Sequence, residues 1–299
     1  MSRPVSYQEA TARERLQHLF NPGSFEEFIP PSARVTSPHL AQLNAPVAFD
    51  DGVAIGHALL GGVPVYVAAQ EGAFMGGAVG EVHGAKLVGL LRKAIADKVA
   101  VVLLVESGGV RLHEANAGLI AVSEVMRALL DARDTGVPVI ALVGGANGAF
   151  GGMGIVTRCA NVVIMSEEGR LAMSGPEVIE TANGVEEFDS RDRALVWRTS
   201  GGKHRYLLGD CQRIVADDVM AFRQAAQEAL AAFANQPTAL TLEALEAEQK
   251  MLEARLQNYG TLHDPVDIWE AMQVPDAANV PMLDVDSFIA AAASHRQGA

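Results

Sequence analysis

Two kinds of apolar pattern alternate along the chain. Val99–Val105 and Val137–Val143 are unbroken apolar runs rich in β-branched residues, which suits strands buried on both faces of a sheet. Elsewhere apolar residues recur at helical spacing: Leu87, Leu90, Leu91 and Ile95 within Glu81–Asp97, and Leu119, Val122, Met126, Leu129 and Leu130 within Glu114–Arg133. Two shorter segments, Val53–Leu59 and Val63–Ala69, meet at Leu60-Gly61-Gly62 and read as a hairpin or adjacent strands. A small-residue helix over Gly151–Cys159 and a third strand over Asn161–Ser166 complete a strand–helix–strand–helix–strand order. That order predicts an α/β fold.

Ahead of this region, Tyr7–Phe20 carries Leu16, Leu19 and Phe20 at helical spacing and stops at Asn21-Pro22-Gly23-Ser24. The stretch from Pro30 to Pro46 reads as an extended arm. The last third is mostly helical, with Asp217–Phe233 and Thr241–Tyr259 as its longest segments, and Arg296–Ala299 is expected to fray. No repeat or linker divides the chain. Residues 1–299 are therefore expected to form one domain, with an N-terminal helical arm over about 1–46 and a helical C-terminal part over about 215–299.

Composition narrows the function classes. With 23 Lys+Arg against 36 Asp+Glu, the net charge of −13 argues against a general nucleic-acid binder. Two cysteines, Cys159 and Cys211, cannot form a four-cysteine zinc site or a disulfide framework, so no metal and a cytoplasmic location are expected. No stretch reaches the roughly 20 apolar residues of a membrane span. Met75, Met126, Met153 and Met165 read as core filler.

The 29 glycines are unevenly placed. One cluster is Phe74-Met75-Gly76-Gly77-Ala78, just after an expected strand. A second, Glu106-Ser107-Gly108-Gly109-Val110-Arg111, directly follows Val99–Val105. A third, Gly144 to Gly152, directly follows Val137–Val143. Glycine lets main-chain N–H groups approach a ligand, and a helix starting there adds unpaired amides and a positive dipole end. Two such turns at the same end of adjacent parallel strands would converge as an oxyanion hole; tight turns and close helix packing are the alternative reading. Other motifs fail: there is no G-x-G-x-x-G after a strand, no Walker A at Gly201-Gly202-Lys203-His204, no G-x-S-x-G, and Ala117 stands where a zinc protease needs histidine.

Four segments resemble a known family, the carboxyltransferases that act on acyl-CoA. Glu106 to Glu114 resembles their D-S-G-G-A-R-x-Q-E. Ala12-Arg13-Glu14-Arg15-Leu16 with Asn21 to Glu27 resembles A-R-E-R-I…D-P-G-S-F-x-E. Ala73 to Gly77 is similar to F-M-G-G, and Ser174 to Glu180 to A-G-P-x-V-I-E. The resemblance implies the crotonase (ClpP/crotonase-like) fold, a spiral of ββα units, and a site formed between two homologous halves. The zinc ribbon of the acetyl-CoA carboxylase β half is absent, and Ser200 to Asp210 looks most like the biotin-independent malonate decarboxylase branch, in its β subunits.

In that branch the implied partners are a homologous γ subunit, an acyl carrier protein and an acyl-transferase subunit. The thioester is carried on a CoA-derived prosthetic group, with no tightly bound cofactor. The implied reaction is decarboxylation of malonyl thioester to acetyl thioester through an enolate. A biotin-dependent carboxyltransferase half, a non-catalytic assembly subunit and a free-standing hydratase or hydrolase are the alternatives.

By resemblance, the backbone donors are Gly108 and Gly109 in one turn and Phe150, Gly151 and Gly152 in the other. Gly76, Gly77, Arg111, Gly148, Gly175, Lys203 and Arg205 are the substrate-binding candidates. Arg111 is read as meeting a phosphate or the departing carboxylate, or as pairing with Glu106 or Glu114. Glu106 is read as capping the next helix or orienting Arg111, with direct acid–base work as the alternative, and Asn147 as shaping its own loop, with a ligand role as the alternative. His113 and, more weakly, His83 are candidate proton donors, with histidines that only support neighbouring residues or lie at the surface as the alternative. Arg191–Arg213, rich in Lys and Arg, is a candidate surface for a CoA-like phosphate, the carrier protein or the partner, or a solvated face.

Overall fold

The computed structural model describes residues 4–233 and 240–297. Seven strands form one mixed sheet in sequential order: β1 (Glu26–Glu27), β2 (Val53–Leu60), β3 (Val63–Gln70), β4 (Val101–Val105), β5 (Val139–Val143), β6 (Val162–Ser166) and β7 (Arg213–Val215). The first three pair antiparallel, and β3 to β7 run parallel. The β2–β3 hairpin turns on Gly61 (φ 60°) and Gly62 (φ 86°), the two positive φ angles that match the strand twist.

The helices are α1 (Ala12–Leu19), α2 (Pro38–Gln42), α3 (Glu81–Asp97), α4 (Asn116–Asp134), α5 (Gly151–Arg158), α6 (Pro176–Asn183), α7 (Arg193–Ser200), α8 (Gly202–Leu207), α9 (Val219–Ala232), α10 (Leu242–Tyr259), α11 (Pro265–Ala271) and α12 (Val285–Ala292). Alternation along the central strands makes two cores. Val101, Leu103 and Val105 of β4 pack with α3, α4 and α5, whereas Val102 and Leu104 pack with α1 and α9. The crossover helices α3, α4 and α5 all contribute to the first face. Sequential strand order with crossovers on one face is the expected spiral. A third cluster, built around Trp269 and Phe288, belongs to the C-terminal helices.

The N-terminal helix is shorter than its apolar spacing predicts. Thr11 and Glu14 form a reciprocal capping box that starts it at Ala12, leaving Tyr7 in the preceding turn. The stretch from Pro30 to Pro46 is not simply extended, since it holds a 3₁₀ turn at Pro31–Ala33 and α2. On α4 the predicted stripe is partly wrong: Leu119 and Leu130 are exposed, and the buried face is made of Gly118, Ala121, Val122, Val125, Ala128, Leu129 and Ala132. Gly84 explains that choice. A Cβ there would fall 2.6 Å from the Ala121 Cβ, so α3 and α4 touch through small residues.

Arg296 does not fray. It donates to the Tyr206 and Cys211 carbonyls, and Gln297 N–H donates to Leu207; residues 298 and 299 lie outside the described residues. Among the described residues no helix is long and apolar enough to cross a membrane.

Candidate active site

The three glycine clusters meet beyond the C-terminal ends of the parallel strands. Val79 bridges to Val110, Ser107 to Ala149, and Ala149 to Leu171, making a small second layer from the three turns and the segment after β6. The turns fit because they lack side chains. A Cβ on Gly77 would fall 1.9 Å from the Glu106 carbonyl oxygen. Gly109, at φ 117°, lies against the second turn, where a Cβ would come 3.3 Å from the Phe150 carbonyl oxygen and 3.7 Å from the Gly152 nitrogen. Sequence reasoning predicts this convergence, and the fold delivers it.

The individual donors differ from expectation. Gly108 N–H donates to Gly76 (2.8 Å), Phe150 N–H to Ser107 (2.9 Å) and Gly151 N–H to Met173 (2.9 Å). Gly109 N–H points to the Ser107 hydroxyl at 3.1 Å. These four amides already have partners: backbone carbonyls of neighbouring segments for Gly108, Phe150 and Gly151, and a hydroxyl of its own turn for Gly109. Of the five expected donors, Gly152 alone donates to nothing among the described residues. Met153, the next residue of α5, is free in the same way, since the first turn of a helix has no internal acceptors and Phe150 offers no side-chain cap.

Val110 N–H is also without a partner among the described residues. Val79 bonds to the residues on either side of Val110, so the Val110 amide turns away from it, toward the Ala149–Gly152 segment. Val110 and Met153 were legible only as an apolar residue and a core filler. The rule that a helix begins with unpaired amides is the signal that finds Met153.

The Glu106–Arg111 turn is anchored at both ends by buried ion pairs. Glu106, with 7% side-chain exposure, pairs with the still more deeply buried Arg15 of α1 and also accepts from Asn147 N–H (3.3 Å). Arg15 donates from Nε to the Tyr7 carbonyl (2.8 Å) and lies 4.5 Å over the Tyr7 ring, which stacks on Phe222 at 4.0 Å. Burial raises the Tyr7 phenol well above its usual range, so it stays neutral under Arg15.

At the other end, Arg111 bonds to Asp51 (2.9 Å) and Glu114 (3.0 Å), all three side chains fully buried. Burial pushes the Glu114 carboxyl up, but bonds from Glu81 N–H and Arg111 outweigh it and leave it below the usual carboxylate range. Arg111 therefore holds the turn through Glu114, one of the two partners read for it from sequence, and through Asp51, and its charge is already met by these carboxylates.

A buried chain of hydrogen bonds joins the two anchors. Asp51 accepts from His83 N–H (3.0 Å), and its carbonyl faces His83 Nδ1 at 3.2 Å. A carbonyl only accepts, so Nδ1 carries the proton and Nε2 accepts from Gln70 Nε2 at 3.0 Å. Gln70 Oε1 in turn accepts from Glu106 N–H (3.2 Å). Burial, helped by Arg111 and Lys86, pushes the imidazole down to about 3. His83 is neutral and enclosed, a support and not a proton donor. His113 is exposed on the 3₁₀ turn Leu112–Glu114 and has no hydrogen-bond or ion-pair partner among the described residues.

The remaining candidates are structural. Lys203 bonds to Glu167 (3.1 Å) and to the Pro281 and Leu283 carbonyls, and Arg205 to Asp210 (3.1 Å) and the Thr199 carbonyl. Both tie α8 to its neighbours, so neither is free for a phosphate. Gly76 has open space around it beside the turns, and Gly77 packs on Glu106. Gly148 accepts from Ser107 N–H and Gly175 opens α6, so both shape the backbone around the turns. Most of the basic stretch is likewise paired, with Arg198 on Asp264 and Arg213 on Glu228. Among the described residues no cluster of three metal-binding side chains occurs.

The carboxyl transferase domain profile matches residues 6–253. The chain belongs to the carboxyl transferase domain family. It is 46% identical over 234 residues to the malonyl-S-ACP:biotin-protein carboxyltransferase of Malonomonas rubra, covering 73% of each chain. It is similar in structure to a chain of the Pseudomonas malonate decarboxylase hetero-tetramer solved with malonate, with a TM-score of 0.80, 38% identity, and 90% of this chain and 97% of that one covered. The transcarboxylase 12S structure with methylmalonyl-CoA matches at a TM-score of 0.62 and 27% identity, over 74% of this chain and 40% of that one. The fold is the crotonase-like fold of these carboxyltransferases.

Two outcomes follow from the buried anchors. Glu106→Gln leaves Arg15 buried without a counter-charge, so urea unfolding should show a loss of about 3–5 kcal/mol; a loss under ~1 kcal/mol would contradict the pairing. His83 is neutral when folded but takes a proton near pH 6.5 when unfolded, so its contribution is full above pH 6.5 and is lost as pH falls toward about 3. A His83→Gln variant should therefore lose less stability between pH 6.5 and 4.5 than the parent, by on the order of 2 kcal/mol. Equal slopes for the two proteins would refute this.

Proposed function

We propose that this chain is the β-type subunit of a malonyl-thioester decarboxylase, acting with a homologous γ-type partner. The observation that carries the reading is the match of nine-tenths of the chain to one chain of a malonate decarboxylase. The site chemistry supports it. Breaking the bond between C2 and the carboxylate releases CO2 and sends the electron pair into the thioester, leaving an enolate whose negative charge collects on oxygen. Unpaired amides held by a rigid backbone stabilise that charge more than they stabilise the neutral ground state, which lowers the barrier. Gly152 and Met153, with Val110 facing them, are the donors in this reading; protonation of C2 then gives the acetyl thioester. The thioester arrives on the CoA-derived arm of an acyl carrier protein loaded by an acyl-transferase subunit, and no tightly bound cofactor takes part.

Large apolar side chains are exposed on the elements that border the turns: Leu112 at 77%, Leu119 at 51%, Ile120 at 62%, Met173 at 64% and Val178 at 59%. So much apolar surface beside a site fits burial against the γ-type subunit. A second reading has the carboxyl group pass to a biotin protein, and the 46% identity to the Malonomonas enzyme favours it. Both share the enolate step and differ in what accepts CO2.

The co-purified complex should turn over malonyl thioester with no biotin protein present; strict dependence on biotin would establish the second reading instead. Gly152→Ala keeps the amide and Gly152→Pro removes it, while both add the Cβ that meets Val122 at 2.6 Å. The proline variant should lose about 10²–10³ in turnover beyond the alanine variant. Equal loss in the two would show that the Gly152 amide is not a donor.

A further inference from the structure

We propose that Arg170 receives a negatively charged group of the acyl thioester, a carboxylate or a phosphate, beside the Phe150 cap of α5. The proposal rests on the thioester reading above and adds a side chain that the glycine motifs do not mark. Arg170 follows β6, and its backbone is part of the turn layer: its carbonyl accepts from Ala149 N–H at 2.8 Å. A Cβ on Gly148 would fall 3.1 Å from the Arg170 Cβ, so the glycine leaves room for this side chain. The guanidinium carbon lies 5.6 Å from the Phe150 ring and 5.3 Å from the Trp197 ring, and Phe150 is the residue that opens α5.

Between those rings the guanidinium is positioned but not neutralised. Its one hydrogen bond among the described residues runs from Nη2 to the Ala146 carbonyl, and it forms no ion pair there. Nε is buried without a partner. Burial holds the guanidinium below its usual value; Glu177 and Glu106 pull the other way at longer range, and Arg193 adds to the lowering. A cation kept between aromatic faces, with donors to spare and a second cation nearby, is suited to an anion that arrives with the substrate. The contrast with Arg15, Arg111 and Arg205 is direct, since each of those is bonded to a carboxylate.

The test uses the complex with its partner subunit, with malonyl-CoA as substrate and acetyl-CoA as competing product. For Arg170→Met, a rise of about tenfold or more in KM for malonyl-CoA with an unchanged Ki for acetyl-CoA assigns the carboxylate. A similar rise in both assigns a phosphate of the arm. No change in either overturns the proposal. Arg170→Lys keeps the charge and should recover most of the affinity, which a purely structural role would not predict.

Should the methionine variant fail to fold, Trp197 fluorescence of the parent complex titrated with each CoA ester gives a second measurement. A saturable change that inorganic phosphate or malonate competes away supports the site, and no change refutes it. A parent complex that binds these esters but never turns over malonyl-CoA would count against the decarboxylase reading while leaving the anion site standing.

Discussion

The site depends on keeping six residues, Glu106 to Arg111, in one conformation, and buried charge does this. A carboxylate and a guanidinium removed from water gain little net stability over apolar residues, but either left alone is costly. Glu106 therefore requires Arg15, and Arg111 requires Asp51 and Glu114, so neither end of the turn can move without stranding a charge. The His83–Gln70 link ties the two ends together through neutral hydrogen bonds. This explains a feature of the N-terminal segment that no local rule explains. Its Arg13-Glu14-Arg15 run begins a short helix on the opposite face of the sheet from the crossover helices, yet it delivers Arg15 to the base of the turns.

Much of the fold was legible because burial on both faces leaves a direct mark on sequence. The β4 and β5 runs, the hairpin glycines and α3 follow from it almost residue for residue. The less legible parts have physical causes. The two residues of β1, both glutamate, carry no alternation, and α7 and α8 are divided at Gly201-Gly202, whose missing side chains let the backbone approach Trp197 and Ser166. The α4 stripe misled because the larger residues on one side of the helix point outward while alanines pack against α3.

At the site, sequence located the turns but not the donors. Glycine clusters mark where backbone comes close; they do not say which N–H remains free once the turns bond to one another. Gly108, Phe150 and Gly151 lose their amides to that mutual pinning, whereas Gly152 and Met153 keep theirs because a helix starts there. Charged side chains showed the opposite error. Lys203 and Arg205 looked available in sequence; Glu167, the partner of Lys203, and Asp51, the second partner of Arg111, become visible only when distant segments meet, whereas Arg205 pairs with Asp210 five residues on. Arg170 had no motif at all; its two aromatic neighbours come from the N-terminal cap of α5 and the middle of α7.

In the proposed reaction, negative charge on the thioester oxygen meets backbone amides of this chain. A structure of the complex with a non-decarboxylating malonyl thioester analogue tests it most directly. The thioester oxygen is expected within about 2.7–3.1 Å of the Gly152 nitrogen, with Met153 or Val110 as a second donor. An oxygen held only by side chains or by the partner subunit, with these amides facing solvent, would contradict it.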